Sequence, residues 1–117
     1  MLKIKRIYDE PSPEDGYRIL VDRLWPRGIS KDRARVDEWA RDIAVSDDLR
    51  RWYGHDPAKW DEFRRRYKKE LSENGRMDRL REIGERAKTE NVTLAFGASD
   101  VEHSNAAFLK DLISELV

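Results

Sequence analysis

The sequence predicts an α/β protein: one compact domain with a small central sheet of three or four strands, flanked by helices. Two apolar runs of strand length carry this reading, Ile19-Leu20-Val21 and Val92 to Phe96. Between them, Trp60, Phe63, Tyr67 and Leu71 recur at steps of three and four, the spacing of one helix face. The length of 117 residues fits a single domain over 1–117, and no linker, repeat or low-complexity segment divides it.

Only 38% of residues are hydrophobic and 41% are charged, so the core must be built from few side chains. Disorder goes with high net charge and few aromatics. Here 24 basic residues balance 24 acidic ones, and four Trp, four Tyr and three Phe fall at periodic positions. The balance also argues against a dedicated nucleic-acid binder, which carries a basic excess. With no cysteine, disulfides, thiolate metal sites and cysteine nucleophiles are excluded. The first residues, MLKIKRIYDE, read as a charged strand and not as a signal peptide. No apolar run approaches the roughly 20 residues of a membrane span. The expectation is a cytoplasmic protein without membrane contact.

Leu2 and Ile4 alternate with Lys3 and Lys5, which marks a short first strand with a wet side. Asp9 to Gly16 is a loop of acids, Pro and Gly. Its eight residues are too few for a helical crossover, which needs a dozen or more. The first two strands are therefore expected to be antiparallel neighbours or to be joined by a strap over the sheet edge. The second strand is Tyr17 to Arg23. Ser30 can cap a following helix. Val36, Trp39, Ala40 and Ile43 have helical spacing and predict a short helix from Lys31 or Val36 to Ile43.

Ser46 begins a helix over Asp47 to about Tyr53, with acids in its first turn and Gly54 as its stop. Asp56-Pro57 starts the next, an Asp cap followed by Pro at the first helical position. Its apolar stripe, Trp60 to Leu71, is read as core. Asn74-Gly75 ends it, and Met77, Leu80, Ile83 and Ala87 define a further helix. Gly84 inside that helix costs about 1 kcal/mol against Ala, which suggests close packing or a frayed end. Val92 to Phe96 is nearly uninterrupted and apolar, so it is expected to be central and buried on both faces. Ser104 to Leu116 closes the chain as a helix with Ala107, Phe108, Leu112, Ile113 and Leu116 inward.

Candidate site residues follow the ends of two strands, where open α/β sheets place their ligands. Arg23, Arg27 and Lys31 are four apart beyond the second strand, and Gly28 lets backbone N–H groups approach a ligand. Guanidinium groups suit bidentate contact with phosphate or carboxylate. The alternative is that Arg23 pairs with Asp22 or a helix carboxylate while Arg27 and Lys31 are solvated. Trp25 either stacks on a ligand ring or pins the turn. Asp100, His103 and Asn105 follow the apolar strand at Val92. His103 is the acid–base candidate, with Asp22 or Asp100 to orient it. The alternative is that Asp100 or Ser104 merely caps the last helix. His55 either faces the same rim or closes a loop. The His and Asp residues lack metal-ligand spacing, so no metal is assigned. No serine-hydrolase elbow, phosphate-binding loop or dinucleotide fingerprint is present, and no cofactor is identified.

VDRLWPRGISK at 21–31, LRRWYGHDPAKWDEFRRRYKKEL at 49–71 and VTLAFGASDVEHSNAAFL at 92–109 together resemble the YeaO-like family, a domain of unknown function. The resemblance spans nearly the whole chain and implies a compact α/β domain without implying an activity. Its motif positions here are Asp22, Arg23, Trp25, Pro26, Arg27, Gly28, Lys31, His55, Asp56, Trp60, Asp100, His103 and Asn105. Many relatives have a second His after the Asn; this chain has Asn105-Ala106, which removes one polar group. The reading is a site for a small anionic, phosphate- or nucleotide-like group, with or without turnover. The alternative is a non-catalytic module binding protein or nucleic acid through Trp25 and the arginine-rich segment Asp61 to Lys69.

Overall fold

The computed structural model describes residues 1–117. Four strands, β1 (Leu2–Arg6), β2 (Tyr17–Leu20), β3 (Glu38–Trp39) and β4 (Val92–Phe96), form one sheet in the order β1-β4-β2-β3. Every pairing is parallel. The helices are α1 (Lys31–Ala34), α2 (Asp47–Tyr53), α3 (Trp60–Glu73), α4 (Met77–Ala87) and α5 (Asn105–Leu116).

The two faces of the sheet are unequal. Ile19 and Val21 alternate with Leu20, and Val92, Leu94 and Phe96 alternate with Ala95, as the period of a strand requires. The first set joins the main core with Phe63, Tyr67, Leu80, Ile83, Leu109 and Ile113 from the long helices. The second set meets a small layer of Ile7 and Ala34, edged by Trp25, Ile29, Val36 and Trp39. β4 is buried along its whole length because it lies between β1 and β2 and is covered on both sides.

Two expectations are corrected. The first two strands are not antiparallel neighbours; of the two arrangements expected, a strap joins them, over a face of the sheet and not its edge, and both run parallel to β4, one on each side. The connection from Ile7 to Gly16 crosses the small face without a helix, carrying only a 3₁₀ turn at Pro13–Asp15. At about 3.3 Å per extended residue it is long enough to retrace a five-residue strand. Asp15 anchors it: its carboxylate accepts from Arg18 Nη1 at 2.7 Å, and its carbonyl accepts from Thr93 Oγ1 at 2.7 Å.

The predicted helix ending at Ile43 is also absent. α1 stops at Arg35, which takes a left-handed backbone (φ 49°). The Arg18 side chain captures the carbonyls of Ala34 and Arg35, and Asp37 exchanges hydrogen bonds with the Arg18 backbone. Glu38–Trp39 then pairs with Ile19 and Leu20, and Arg41–Ile43 forms a 3₁₀ turn. Pairing with the open edge of β2 overrides the helical spacing of Val36, Trp39 and Ile43. Trp39 thus belongs to a strand, and Trp60 is half-buried at the start of its stripe, whose fully buried members are Phe63, Tyr67 and Leu71.

Side-chain caps start α2 and α5, whereas α3 and α4 begin without one. The hydroxyls of Ser46 and Ser104 accept from the N–H groups of Leu49 and Ala107. Gly54 ends α2 in a left-handed conformation (φ 54°). Gly84 marks close packing: a Cβ there would lie 2.7 Å from a Val117 methyl and 3.0 Å from one of Ile113.

Candidate functional site

Parallel strands send their carboxyl ends to one edge of the sheet, so the segments after β1, β2 and β4 share a rim. A cleft of about 440 Å³ opens there. Asp22, Arg23, Trp25, Arg27, His55, His103 and Asn105 line it, together with Tyr8, Arg50, Tyr53 and Gly97. Gly28 and Lys31 are not in its lining; Gly28 turns the chain with φ 79°, and Lys31 is exposed in the first turn of α1. Asp100 stands behind His103 and not in the wall.

Asp22 sits at the root of the cleft. Its Oδ2 accepts from the Gly97 backbone N–H at 2.8 Å, and its Oδ1 accepts from Asn105 Nδ2 at 3.0 Å. The same Asn105 amide donates to the carbonyl of Val21 at 3.1 Å. These bonds tie the ends of β2 and β4 to the start of α5. No cation pairs with Asp22. Burial raises its pKa above the ordinary carboxylate value; the hydrogen bonds from Asn105 and Gly97 and the charge of His55 pull the other way. A Cβ at 97 would stand 3.1 Å from Asp22 Oδ2, so the carboxylate would have to give by a few tenths of an ångström.

The arginine wall has one committed nitrogen. Arg23 is half-buried, and its Nε donates to the Val45 carbonyl at 2.8 Å, which leaves its terminal amino groups uncommitted. It pairs with neither Asp22 nor a helix carboxylate. The Arg27 side chain is exposed and unpaired, while its carbonyl accepts from Tyr8 Oη at 2.7 Å. Arg50 faces Asp47 across 3.5 Å, an open pair with modest hold on either side chain.

Trp25 pins the turn. Its Nε1 donates to Ile29 O at 2.7 Å, and its ring meets Trp39 edge-on with centroids 5.4 Å apart. Trp39 in turn donates to the Asp22 carbonyl at 2.7 Å. Asp22 and Arg27 are therefore held by interlocked indoles and do not hang on a free loop.

The two histidines also line the cleft. His103 Nδ1 lies 2.8 Å from Asp100 Oδ2, and this bond holds the Asp100 carboxyl below its usual range. The His103 ring packs edge-on against Trp60 at 5.4 Å, and its Nε2 makes no bond within the chain. Tyr53 Oη donates to the His103 carbonyl at 2.8 Å; burial, then the charges of Asp100 and Asp56, push its pKa up to about 12. His55 takes a left-handed backbone (φ 56°) between Gly54 and Asp56 and is exposed at the mouth. Ser104, and not Asp100, caps α5. No group of three His, Asp or Glu side chains is placed to hold a metal ion.

Tyr8, Arg50, Tyr53 and Gly97 are among the lining residues that sequence reasoning missed. Tyr8 and Gly97 had a signal, since each follows a strand by one or two positions. Arg50 had none, being one basic residue of many on a helix.

Fold and cleft together define an open parallel α/β protein with a polar, arginine-walled pocket at the carboxyl edge of its sheet. The chain belongs to the DUF488 family of YeaO-like proteins: residues 1–117 match the family model described as the inactive DUF488-N3 subclade. It is 41% identical over 113 residues to the uncharacterized protein Rv3073c of Mycobacterium tuberculosis, covering 97% of this chain and 93% of that one. It is 38% identical over 116 residues to the uncharacterized protein YeaO of Escherichia coli, covering 98% of each. No solved structure is significantly similar to it.

Proposed function

We propose that the cleft binds a small anionic ligand bearing a phosphate-like group and holds it without turnover. The observation that carries this reading is the arginine wall: Arg23, Arg27 and Arg50 line one cavity whose sole acidic lining residue is Asp22. Arg23 is half-buried with terminal nitrogens that meet no carboxylate, Arg27 is exposed and unpaired, and Arg50 is held only by an open pair with Asp47; an oxyanion is the natural partner for the first two. The His103–Asp100 pair has the form of an oriented acid–base group. The description of the subclade as inactive supports binding over catalysis, with His103 as a hydrogen-bonding wall.

The nucleic-acid alternative loses support on α3. Arg64 and Arg65 pair with Asp61 and Glu62, both at 2.5 Å, and Arg66 reaches Glu62 at 3.5 Å. Arg66 also covers the Trp52 ring. A basic run neutralised along its own helix offers little field to a phosphate backbone. The test is thermal denaturation across rising inorganic phosphate at constant ionic strength. A ligand that binds only the folded state raises the midpoint with concentration. Chloride and phosphate giving identical midpoints would contradict the proposal.

A further inference from the structure

The cleft carries two kinds of charged group, and this inference rests on the anion-binding reading above. Guanidinium groups line it. So does Asp22, a carboxylate without a cation. An ionised carboxylate accepts at about four lone-pair positions. Gly97 N–H and Asn105 Nδ2 occupy one on each oxygen. Asp22 also lines the cavity, so its remaining acceptor capacity faces whatever enters. A buried carboxylate without a counter-ion is costly unless its acceptors are met.

A ligand group that donates to Asp22 is an ammonium or a hydroxyl. The wall decides between them: Arg23 and Arg27, neither with a carboxylate partner, stand against one lining carboxylate. An ammonium entering that field is repelled, whereas a neutral hydroxyl is not. A carboxylate at the end of a parallel strand accepting from sugar hydroxyls is a known solution in α/β folds.

We infer that the cleft takes a phosphorylated polyol or sugar, its phosphate on Arg23 and Arg27 and its hydroxyls on Asp22. Asp22 is then a specificity residue and not an anion-binding one, since its own charge opposes the phosphate. Ethyl phosphate has the same monoester and no hydroxyl, which makes it the matched control.

Isothermal titration of the protein with ribose 5-phosphate, ethyl phosphate and inorganic phosphate separates the two claims. The expected result is ribose 5-phosphate binding at least tenfold more tightly than ethyl phosphate. In Asp22→Asn the single side-chain carbonyl is taken by Gly97 N–H, and that ratio falls to about one. The ratio is the readout because removing the negative charge strengthens both phosphates together. Equal affinity for the two esters in the wild type overturns the inference and leaves the anion site standing. A preference that survives Asp22→Asn overturns it as well. No binding of any of the three overturns both readings. The wild-type ratio decides the matter even if the variant fails to fold.

Discussion

The Gly97 N–H donates to Asp22 Oδ2 at 2.8 Å, so the carboxylate after β2 is held by the backbone after β4. That bond exists because β2 and β4 are parallel neighbours, with Leu20 opposite Ala95. Gly97→Ala would place a methyl 3.1 Å from that oxygen and 3.6 Å from Pro26 Cβ. Pro26 is buried and fixed, so Asp22 must yield. Overpacking of this kind costs about 1–3 kcal/mol, more than the few tenths to 1 kcal/mol gained by stiffening the unfolded chain. Urea denaturation should show net destabilisation; an unchanged or higher midpoint would mean that Asp22 is not held tightly.

Asp15 and Asp22 should respond to pH with opposite signs. Burial pushes the Asp15 carboxyl up, but the Ser12 N–H, Lys5 and Arg18 outweigh it and leave the pKa lowered. A lowered folded pKa contributes stability that is present above the ordinary value of 3.8 and is lost as pH falls through the folded value. Asp22 is raised, so its ionisation opposes folding above that range and the opposition vanishes in acid. Asp22→Asn should gain stability relative to wild type as pH rises from about 4 towards neutrality. Asp15→Asn should lose more at neutral pH than at pH 3. Parallel curves for both variants and wild type would refute the assignments.

Arg18 and Asp15 are both 4% exposed, and Arg18 also serves the Ala34 and Arg35 carbonyls. Arg18→Met leaves the buried Asp15 carboxylate with Lys5 and the Ser12 N–H alone and takes the donor from the carbonyls at the end of α1. Breaking one side of a buried pair costs about 3–5 kcal/mol. A loss below about 1 kcal/mol in chemical denaturation, the size of an exposed pair, would show that this cluster is wet.

The α3 stripe should be unequal along its length. Phe63 is 1% exposed and stacks on Tyr53 with centroids 4.0 Å apart. Phe63→Ala should cost about 3–5 kcal/mol, the range for a large core aromatic. Trp60 is half-buried and should cost clearly less despite its size. Equal losses at the two positions would contradict the burial gradient.

Much of this was legible because period reports burial. β4 and helices α2, α3 and α5 were set by their apolar spacing, α2 and α5 also by the caps Ser46 and Ser104, while Asp56 caps the 3₁₀ turn Pro57–Lys59 that leads into α3. The segment Val36 to Ile43 was not, because residues with helical spacing can also bury one by one against a sheet edge, and the deciding contacts come from Arg18, far back in the chain. The parallel course of β1 was hidden by the absence of a crossover helix. Asp22, Arg23 and Arg27 were traceable to a strand end, and His103 and Asn105 to another. Their sharing of one cleft required the pairing of β2 with β4, which no local pattern states. Lys31 was separated from the arginines by the turn at Gly28.

A phosphate titration followed by ¹H–¹⁵N correlation spectra locates the anion on the protein. The account predicts saturable shifts confined to residues 22–27, 50–55 and 97–105, including the Arg23 Nε–H resonance. Shifts centred on the Arg64 to Lys69 face of α3, or none at phosphate concentrations well above physiological levels, would contradict it.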